Sequence, residues 1–163
     1  MYTGLLKFVD NEATLAGVIG HEIAHAERRH ATKRLTRYYG VEIILSIALG
    51  ENPSQIAQVT ANLFTGLAFL KNSRDDEAEA DEYSIKYLRS TPYYPGAIKY
   101  FFEKIGKQGD GGGGGFERLL STHPLPKDRI EHVGELLKAQ GIPPPSEGNV
   151  FEKRYQEFKK TLP

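Results

Sequence analysis

Residues 20–30, GHEIAHAERRH, carry three of the chain's five histidines and place a glutamate between two of them. Apolar residues recur around this stretch at helical spacing, so it is predicted to lie within one long helix over residues 11–39. Asp10 or Asn11 can cap the start of that helix, and Gly40 is predicted to end it. The glycines at positions 17 and 20 each cost about 1 kcal/mol inside a helix. We therefore expect another element to approach closely beside His21.

The rest of the chain also has helical periodicity and almost no strand pattern, so the predicted fold class is mainly α, with at most a residual β-strand at the N-terminus. A turn, GENP at 50–53, separates the first and second of the remaining helices. A run of glycines at 110–115, DGGGGG, predicts a flexible loop, because ordering glycine costs the most backbone entropy. Helices are also predicted over 41–49, 54–71, 126–139 and about 150–161, the third ended by Gly141 and the last capped by Asn149 and Glu152. Another begins at Ser73, with a Ser73–Asp76 capping box, and ends before Pro92. A further helix begins at Pro95, and its apolar stripe consists of Ile98, Phe101, Phe102 and Ile105.

Composition limits the class of protein. The 163 residues suit one domain, and 21 basic residues balance 21 acidic ones, so general electrostatic capture of nucleic acid or of an anionic membrane is not expected. The chain has no cysteine, which excludes thiolate zinc sites, disulfides and thiol catalysis. The longest apolar run, VEIILSIAL at 41–49, is far short of the roughly 20 residues that span a bilayer and is predicted to be a buried helix. Because the chain has no cysteine, a bound metal must be held by histidine and carboxylate.

The stretch HEIAH at 21–25 has the spacing of a metal site. His21 and His25 lie four residues apart, so both imidazoles project from one face of a helix and suit two ligands on one tetrahedral zinc. Glu22 lies roughly 100° further round the helix axis, within reach of a metal-bound water but outside the ligand set. Its carboxylate can take the water's proton and pass it to a leaving nitrogen. This HExxH pattern is typical of zinc peptidases.

His30 is a tempting third ligand, but its position does not fit. The metzincin pattern needs a glycine three residues after the second histidine and a third histidine ten after the first, where this chain has Arg28 and Ala31. In an unbroken helix His30 would lie about 180° from His21 and face away from the metal. His30 is therefore predicted to be a surface or packing residue.

The acidic run SRDDEAEADEYS at 73–84 supplies the best candidate for the third ligand. Like charges four residues apart repel on a helix, and a divalent cation against one face would relieve that repulsion. Glu77 and Asp81 share a face, whereas Glu79 points about 200° away from Glu77. Glu77 is predicted to bind the metal, and Asp81 to orient a ligand histidine through its other ring nitrogen. From spacing alone, the reverse assignment and Glu79 as ligand both remain open.

Three ordered motifs together resemble those of a known family: HEIAH at 21–25, EAEAD at 77–81 and THPLPKDR at 122–129. They are similar to those of the HtpX/BepA-like zinc metallopeptidases, gluzincins related to the CAAX prenyl endopeptidases. The flanking residues are closest to the bacterial envelope branch. The resemblance runs from residue 2 to about residue 139, and it implies a zincin-like, minimal gluzincin helical domain.

The resemblance implies a zinc endopeptidase with one Zn²⁺ per chain. His21, His25 and Glu77, the first glutamate of the ExxxD motif, would be the metal ligands. Glu22 would be the general base, and Asp81 would support the ligands.

The family resemblance also assigns roles to His123 and Arg129. It implies that His123 faces the zinc, where it either stabilises the oxyanion or closes the fourth ligand position in a latent state. Arg129 would lie near the same site as an oxyanion or carboxylate partner. A purely structural salt bridge is the alternative role for Arg129.

The predicted organisation is a metallopeptidase domain at 1–140, followed at 141–163 by a proline-rich spacer and a short amphipathic helix. The predicted function is hydrolysis of unfolded or misassembled polypeptides in the bacterial envelope, in the periplasm by family resemblance. The resemblance also implies peripheral association with a membrane or with outer-membrane assembly. The alternative function is a latent, zinc-bound, chaperone-like or scaffolding module. In the family, a segment that includes a sheet edge for substrate precedes the equivalent of YTGLL at 2–6; this edge strand is expected to be missing here, either because the chain is a fragment or because that part was lost.

Overall fold

The computed structural model describes residues 3–49, 54, 73–108, 123 and 128–163. These residues contain no strand, which confirms the predicted mainly α class, and a helix occupies the N-terminal region where a residual strand was allowed. The described helices are α1 (Thr3–Phe8), α2 (Glu12–Glu27), α3 (His30–Leu49), α4 (Arg74–Leu88), α5 (Ile98–Gln108), α6 (Asp128–Ala139), α7 (Glu147–Val150) and α8 (Glu152–Lys159).

Helix α2 carries HEIAH and packs tightly against α4 and α5. Asn11 caps its start, because the Asn11 Oδ1 atom accepts a hydrogen bond of 2.8 Å from the Thr14 backbone N–H. A Cβ on Gly17 would lie 2.8 Å from the Ile98 backbone nitrogen, and one on Gly20 would lie 3.1 Å from Ser84 Oγ. The close approach predicted from these two glycines is therefore confirmed.

The single helix predicted over 11–39 is wrong, because α2 ends at Glu27 and α3 begins at His30. Arg29 adopts a left-handed conformation with φ 55°, which costs a non-glycine residue about 1–2 kcal/mol. The interruption lacks a glycine or proline, so local preference does not explain it. Contacts of the flanking side chains with α4, described below, offset the cost.

Gly40 does not end a helix either. Helix α3 runs through it to Leu49, so the separate helix predicted over 41–49 is the second half of α3. A glycine inside a helix lowers stability without forcing an end when both flanks favour helix. The predicted turn at 50–53, the loop at 110–115 and, apart from the helical Ser54, the helix at 54–71 lie outside the described residues.

The other helix boundaries largely follow the sequence. The Ser73–Asp76 capping box is present, and α4 ends at Leu88, before Pro92. The helix predicted from Pro95 begins three residues later, at Ile98, and its predicted apolar stripe is buried. Helix α6 ends at Ala139, and Gly141 then adopts a positive φ of 61°.

Residues 147–163 form two short helices rather than one. Asn149 lies inside α7 instead of capping α8, and Phe151 between the helices has a left-handed φ of 55°. Tyr155 is buried in the main hydrophobic core, and its hydroxyl donates to the Leu6 carbonyl at 2.8 Å. The boundary at residue 140 between a metallopeptidase domain and a C-terminal segment stays a prediction. Among the described helices, none has the length and apolar character that crossing a membrane requires.

Candidate metal centre

His21 and His25 direct one ring nitrogen each toward the same point on the α4 side of α2. Their Nε2 atoms lie 3.0 Å apart. Each is 3.3 Å from a different carboxylate oxygen of Glu77, a residue that is fully buried on α4. The packing of α2 on α4 thus brings together three groups that the sequence separates by more than 50 positions.

The Nδ1 atom of His21, on the side of the ring away from Glu77, shows why this arrangement fits a cation. His21 Nδ1 lies 2.9 Å from Asp81 Oδ1, and an ionised carboxylate can only accept a hydrogen bond. The hydrogen of neutral His21 is therefore on Nδ1, and the Nε2 lone pair faces the Glu77 oxygens. A metal binds this neutral form, and a divalent metal ion held by imidazole and carboxylate would offset the repulsion between the converging lone pairs.

His123 joins the same cluster. Its Nδ1 lies 2.9 Å from Glu77 Oε1, and its ring contacts both His21 and His25. One ligand atom from each of His21, His25, Glu77 and His123 lies within 4.8 Å of the others. Three nitrogens and one carboxylate oxygen make a set that suits tetrahedral zinc.

Glu22 is the exposed acid of the cluster. Its side chain is 49% accessible, against 1% for Glu77, and its Oε1 lies 3.6 Å from His123 Nε2. A carboxylate that is open to solvent can exchange protons with water, whereas Glu77 is enclosed. The two glutamates therefore have the separate surroundings that a base and a ligand need.

Arg129 lies behind the cluster of candidate ligands, buried at the start of α6. Its Nε and NH2 atoms donate to Asp81 at 2.8 and 2.6 Å, and its NH1 is 2.7 Å from Glu77 Oε2. Its guanidinium group also stacks 4.2 Å from the centre of the Phe102 ring. Of the roles left open by the sequence, this geometry is that of a carboxylate partner.

Burial and charge act on the ligands in opposite directions. Burial lowers the pKa of His21, but hydrogen bonds to Asp81 and Glu77 outweigh it and raise that pKa to about 9. Burial would raise the pKa of Glu77, whereas hydrogen bonds from His123, His21 and His25 lower it far below its usual range. Burial also dominates at His25 and lowers its pKa. The cluster therefore holds Glu77 as a carboxylate, the form that binds a metal.

His30 does not face away from the centre, contrary to the sequence prediction. It is fully buried, with Nδ1 2.7 Å from His25 Nδ1 and Nε2 2.8 Å from Glu79 Oε2. The interruption at Arg28 and Arg29 turns the start of α3 back toward α2, which an unbroken helix would not do. The sequence offered one signal for this contact: Glu79, which points away from Glu77 and had no assigned partner.

Comparison with known proteins places the chain in a family. The profile described as Peptidase family M48 matches residues 1–137. The chain belongs to this family. Membership confirms the predicted resemblance to a metallopeptidase family.

Three M48 relatives illustrate the similarity. A mitochondrial metalloendopeptidase OMA1 of Arabidopsis thaliana is 34% identical over 135 residues, which is 83% of this chain and 27% of the relative. The metalloprotease LoiP of Escherichia coli is 30% identical over 156 residues, or 87% of this chain and 56% of LoiP. The beta-barrel assembly-enhancing protease of the same organism is 29% identical over 139 residues, or 80% and 28%. The chain thus spans little more than half of LoiP and about a quarter of the other two.

Proposed function

We propose that this chain is a zinc-dependent endopeptidase that hydrolyses peptide bonds of unfolded or misassembled proteins. The convergence of the two Nε2 atoms of His21 and His25 on the buried Glu77 carboxylate carries the proposal. These three side chains would hold one Zn²⁺ per chain. No thiolate competes as a ligand, since the sequence has no cysteine.

Glu22 would be the general base. Bound zinc would polarise the attacking water and the scissile carbonyl. Glu22 would accept a proton from that water and deliver it to the leaving nitrogen, a role that needs an accessible carboxylate beside the ligands. Its exposure and its position immediately after His21 on α2 support this assignment.

Asp81 and Arg129 would position the ligands. Asp81 orients His21 through Nδ1, and Arg129 holds the carboxylates of Asp81 and Glu77 at a fixed separation. Such outer partners keep ligand rings in the geometry that the metal requires. Neither residue would contact the reacting atoms.

Glu22→Gln tests the function. Glutamine keeps the size of the side chain but cannot take a proton, so the variant should bind zinc as wild type does and cleave an unfolded protein about 10²–10⁴-fold more slowly. Metal content by atomic absorption and cleavage of unfolded casein are the two measurements. A wild-type chain that holds zinc yet cleaves no faster than Glu22→Gln would refute the endopeptidase.

A second candidate is a latent zinc-bound form that serves as a chaperone-like or scaffolding module. The contact that favours it is His123 Nδ1 at 2.9 Å from Glu77 Oε1, because His123 then fills the fourth ligand position. This form would also bind zinc but would not cleave while His123 stays in place. His123→Ala separates the two candidates and is taken up in the Discussion.

Residues 1–140 would form the metallopeptidase domain, and the family match over residues 1–137 supports that boundary. The name of the beta-barrel assembly-enhancing relative supports a bacterial envelope location, in the periplasm, and an association with outer-membrane assembly. Other relatives are named as mitochondrial enzymes, so the location needs its own test. Fractionation of the source cells, with detection by antibody, should recover the protein with the envelope. Recovery in the cytoplasm would refute this location.

A further inference from the structure

The two ligand histidines are supported in different ways. His21 Nδ1 reaches a carboxylate directly, at 2.9 Å from Asp81 Oδ1. His25 Nδ1 instead reaches a third histidine, His30, whose other nitrogen reaches Glu79. The support for His25 thus runs through an intermediate imidazole.

The hydrogen positions along the series His25–His30–Glu79, here called the relay, follow from the Glu79 carboxylate at its end. Glu79 only accepts, so the hydrogen of neutral His30 lies on Nε2, which is 2.8 Å from Glu79 Oε2. His30 Nδ1 is then an acceptor, and it accepts a hydrogen bond of 2.7 Å from the Nδ1–H group of His25. His25 is left with a lone pair on Nε2, the atom that faces Glu77.

Glu79 is itself fixed in place. Arg28 donates from Nε to Glu79 Oε1 at 2.8 Å, and its guanidinium group lies 4.7 Å from the centre of the Tyr83 ring. The Glu79 carboxylate thus has a partner on each oxygen, Arg28 on Oε1 and His30 on Oε2.

The break between α2 and α3 places His30 between His25 and Glu79. Five residues of continuous helix would rotate His30 about 140° away from His25. With Arg29 in the left-handed region, both nitrogens of the fully buried His30 instead have partners. A left-handed arginine costs about 1–2 kcal/mol, so the contacts it permits must offset that amount.

We propose that His30 is a positioning residue that sets the tautomer and orientation of His25, with Glu79 fixing His30 in turn. This inference rests on the proposal that His25 binds zinc. Loss of an outer partner typically weakens metal binding about 10–100-fold. The hydrogen-bonded series from His25 through His30 to Glu79 would strengthen zinc binding, and this effect can be measured without a substrate.

Two substitutions at His30 distinguish positioning from packing. His30→Phe keeps an aromatic ring but removes the acceptor, whereas His30→Asn loses volume but retains an oxygen near the place of Nδ1. Zinc affinity is measured by competition with a chromophoric chelator. If His30 positions His25, the Phe variant should bind zinc about 10–100-fold more weakly than wild type, and the Asn variant should recover part of that loss. Affinity of the Phe variant that equals wild type, or exceeds that of the Asn variant, would overturn the proposal.

The far end of the relay has a matched control on the same helix. Glu79→Leu should weaken zinc binding, whereas Glu82→Leu, at an exposed position of α4, should not. Equal affinities for the two variants would also overturn the relay.

Nitrogen NMR of the wild-type imidazoles supplies a readout that needs no variant to fold. Zinc-loaded protein should carry its hydrogen on Nδ1 of His25 and on Nε2 of His30. A hydrogen on Nδ1 of His30 would overturn the proposal. A wild type that binds zinc without cleaving would refute the proposed function and leave the relay standing.

Discussion

Glu22 Oε1 lies 3.6 Å from His123 Nε2, so the proposed base faces the ring that completes the ligand cluster. In the proposed mechanism the attacking water would occupy the space between Glu22 and the proposed metal ligands. A ring that enters the same space would limit how often the site is open, and this relationship governs the first prediction.

His123→Ala should increase cleavage of an unfolded substrate at unchanged zinc content. An interaction of about 1.4 kcal/mol would leave about one molecule in ten open, so its removal would raise the rate about tenfold. His132→Ala, at a histidine outside the ligand cluster, is the matched control. A lower rate for His123→Ala than for this control would instead assign His123 to oxyanion stabilisation.

Glu77→Gln should lose tight zinc binding, because an amide replaces the buried carboxylate that contacts both imidazoles. The loss should exceed the about 10–100-fold effect typical of outer partners. Chelator competition measures it, and Glu82→Gln is the control at an exposed position of the same helix. Retention of zinc by Glu77→Gln would refute Glu77 as a ligand.

Arg129→Met should destabilise the zinc-free chain by about 3–5 kcal/mol, because the buried carboxylates of Asp81 and Glu77 would lose their common cation. Urea unfolding measures the change in the free energy of unfolding. Lys99→Met removes the half-exposed pair with Glu103 and should cost no more than about 1 kcal/mol. Similar costs for both variants would contradict a buried role for Arg129.

Gly17→Ala should destabilise the fold by about 1–3 kcal/mol, since the added Cβ would lie 2.8 Å from the Ile98 backbone nitrogen and neither backbone can move freely. Gly106→Ala on α5 has nothing within 4 Å and should stabilise by about 0.5–1 kcal/mol. Thermal unfolding of the two variants should therefore shift in opposite directions. A stabilised Gly17→Ala variant would contradict the close packing of α2 on α5.

Glu12 should contribute pH-dependent stability. The hydrogen bond from Arg154 outweighs burial and lowers the pKa of Glu12 below its ordinary value of 4.5. The contribution is therefore present above the pKa of the unfolded chain and is lost as pH falls through the lower pKa of the folded chain. Glu12→Gln should be less stable than wild type at neutral pH, and the difference in urea midpoints should vanish in acid. A difference that is independent of pH would contradict this linkage.

The pairing of His21 with His25 could be predicted from the sequence because their spacing follows helix geometry, whereas spacing alone left the choice among Glu77, Glu79 and Asp81 open. A separation of four places His21 beside His25, and likewise Glu77 beside Asp81, on any regular helix. The glycines of α2 similarly predicted a close neighbour, since nothing else explains their cost in a helix. These inferences needed only the period of the helix.

His30 could not be placed in this way, because the sequence AERRH favours an uninterrupted helix. The left-handed Arg29 is imposed by distant contacts, from Arg28 and His30 to Glu79. Such tertiary contacts override local preference without leaving a turn residue to mark the site. Gly40, a typical helix end, lies within α3 because both of its flanks favour helix.

The carbonyls that lead into α2 accept hydrogen bonds from the far end of the chain. Leu6, Val9 and Asp10 accept from Tyr155, Lys159 and Gln156, residues about 150 positions later. During synthesis these bonds can form only after residue 159 has left the ribosome. The helix with HEIAH is thus made well before the segment that secures its start. A nascent chain would carry the ligand residues well before it could hold them in place.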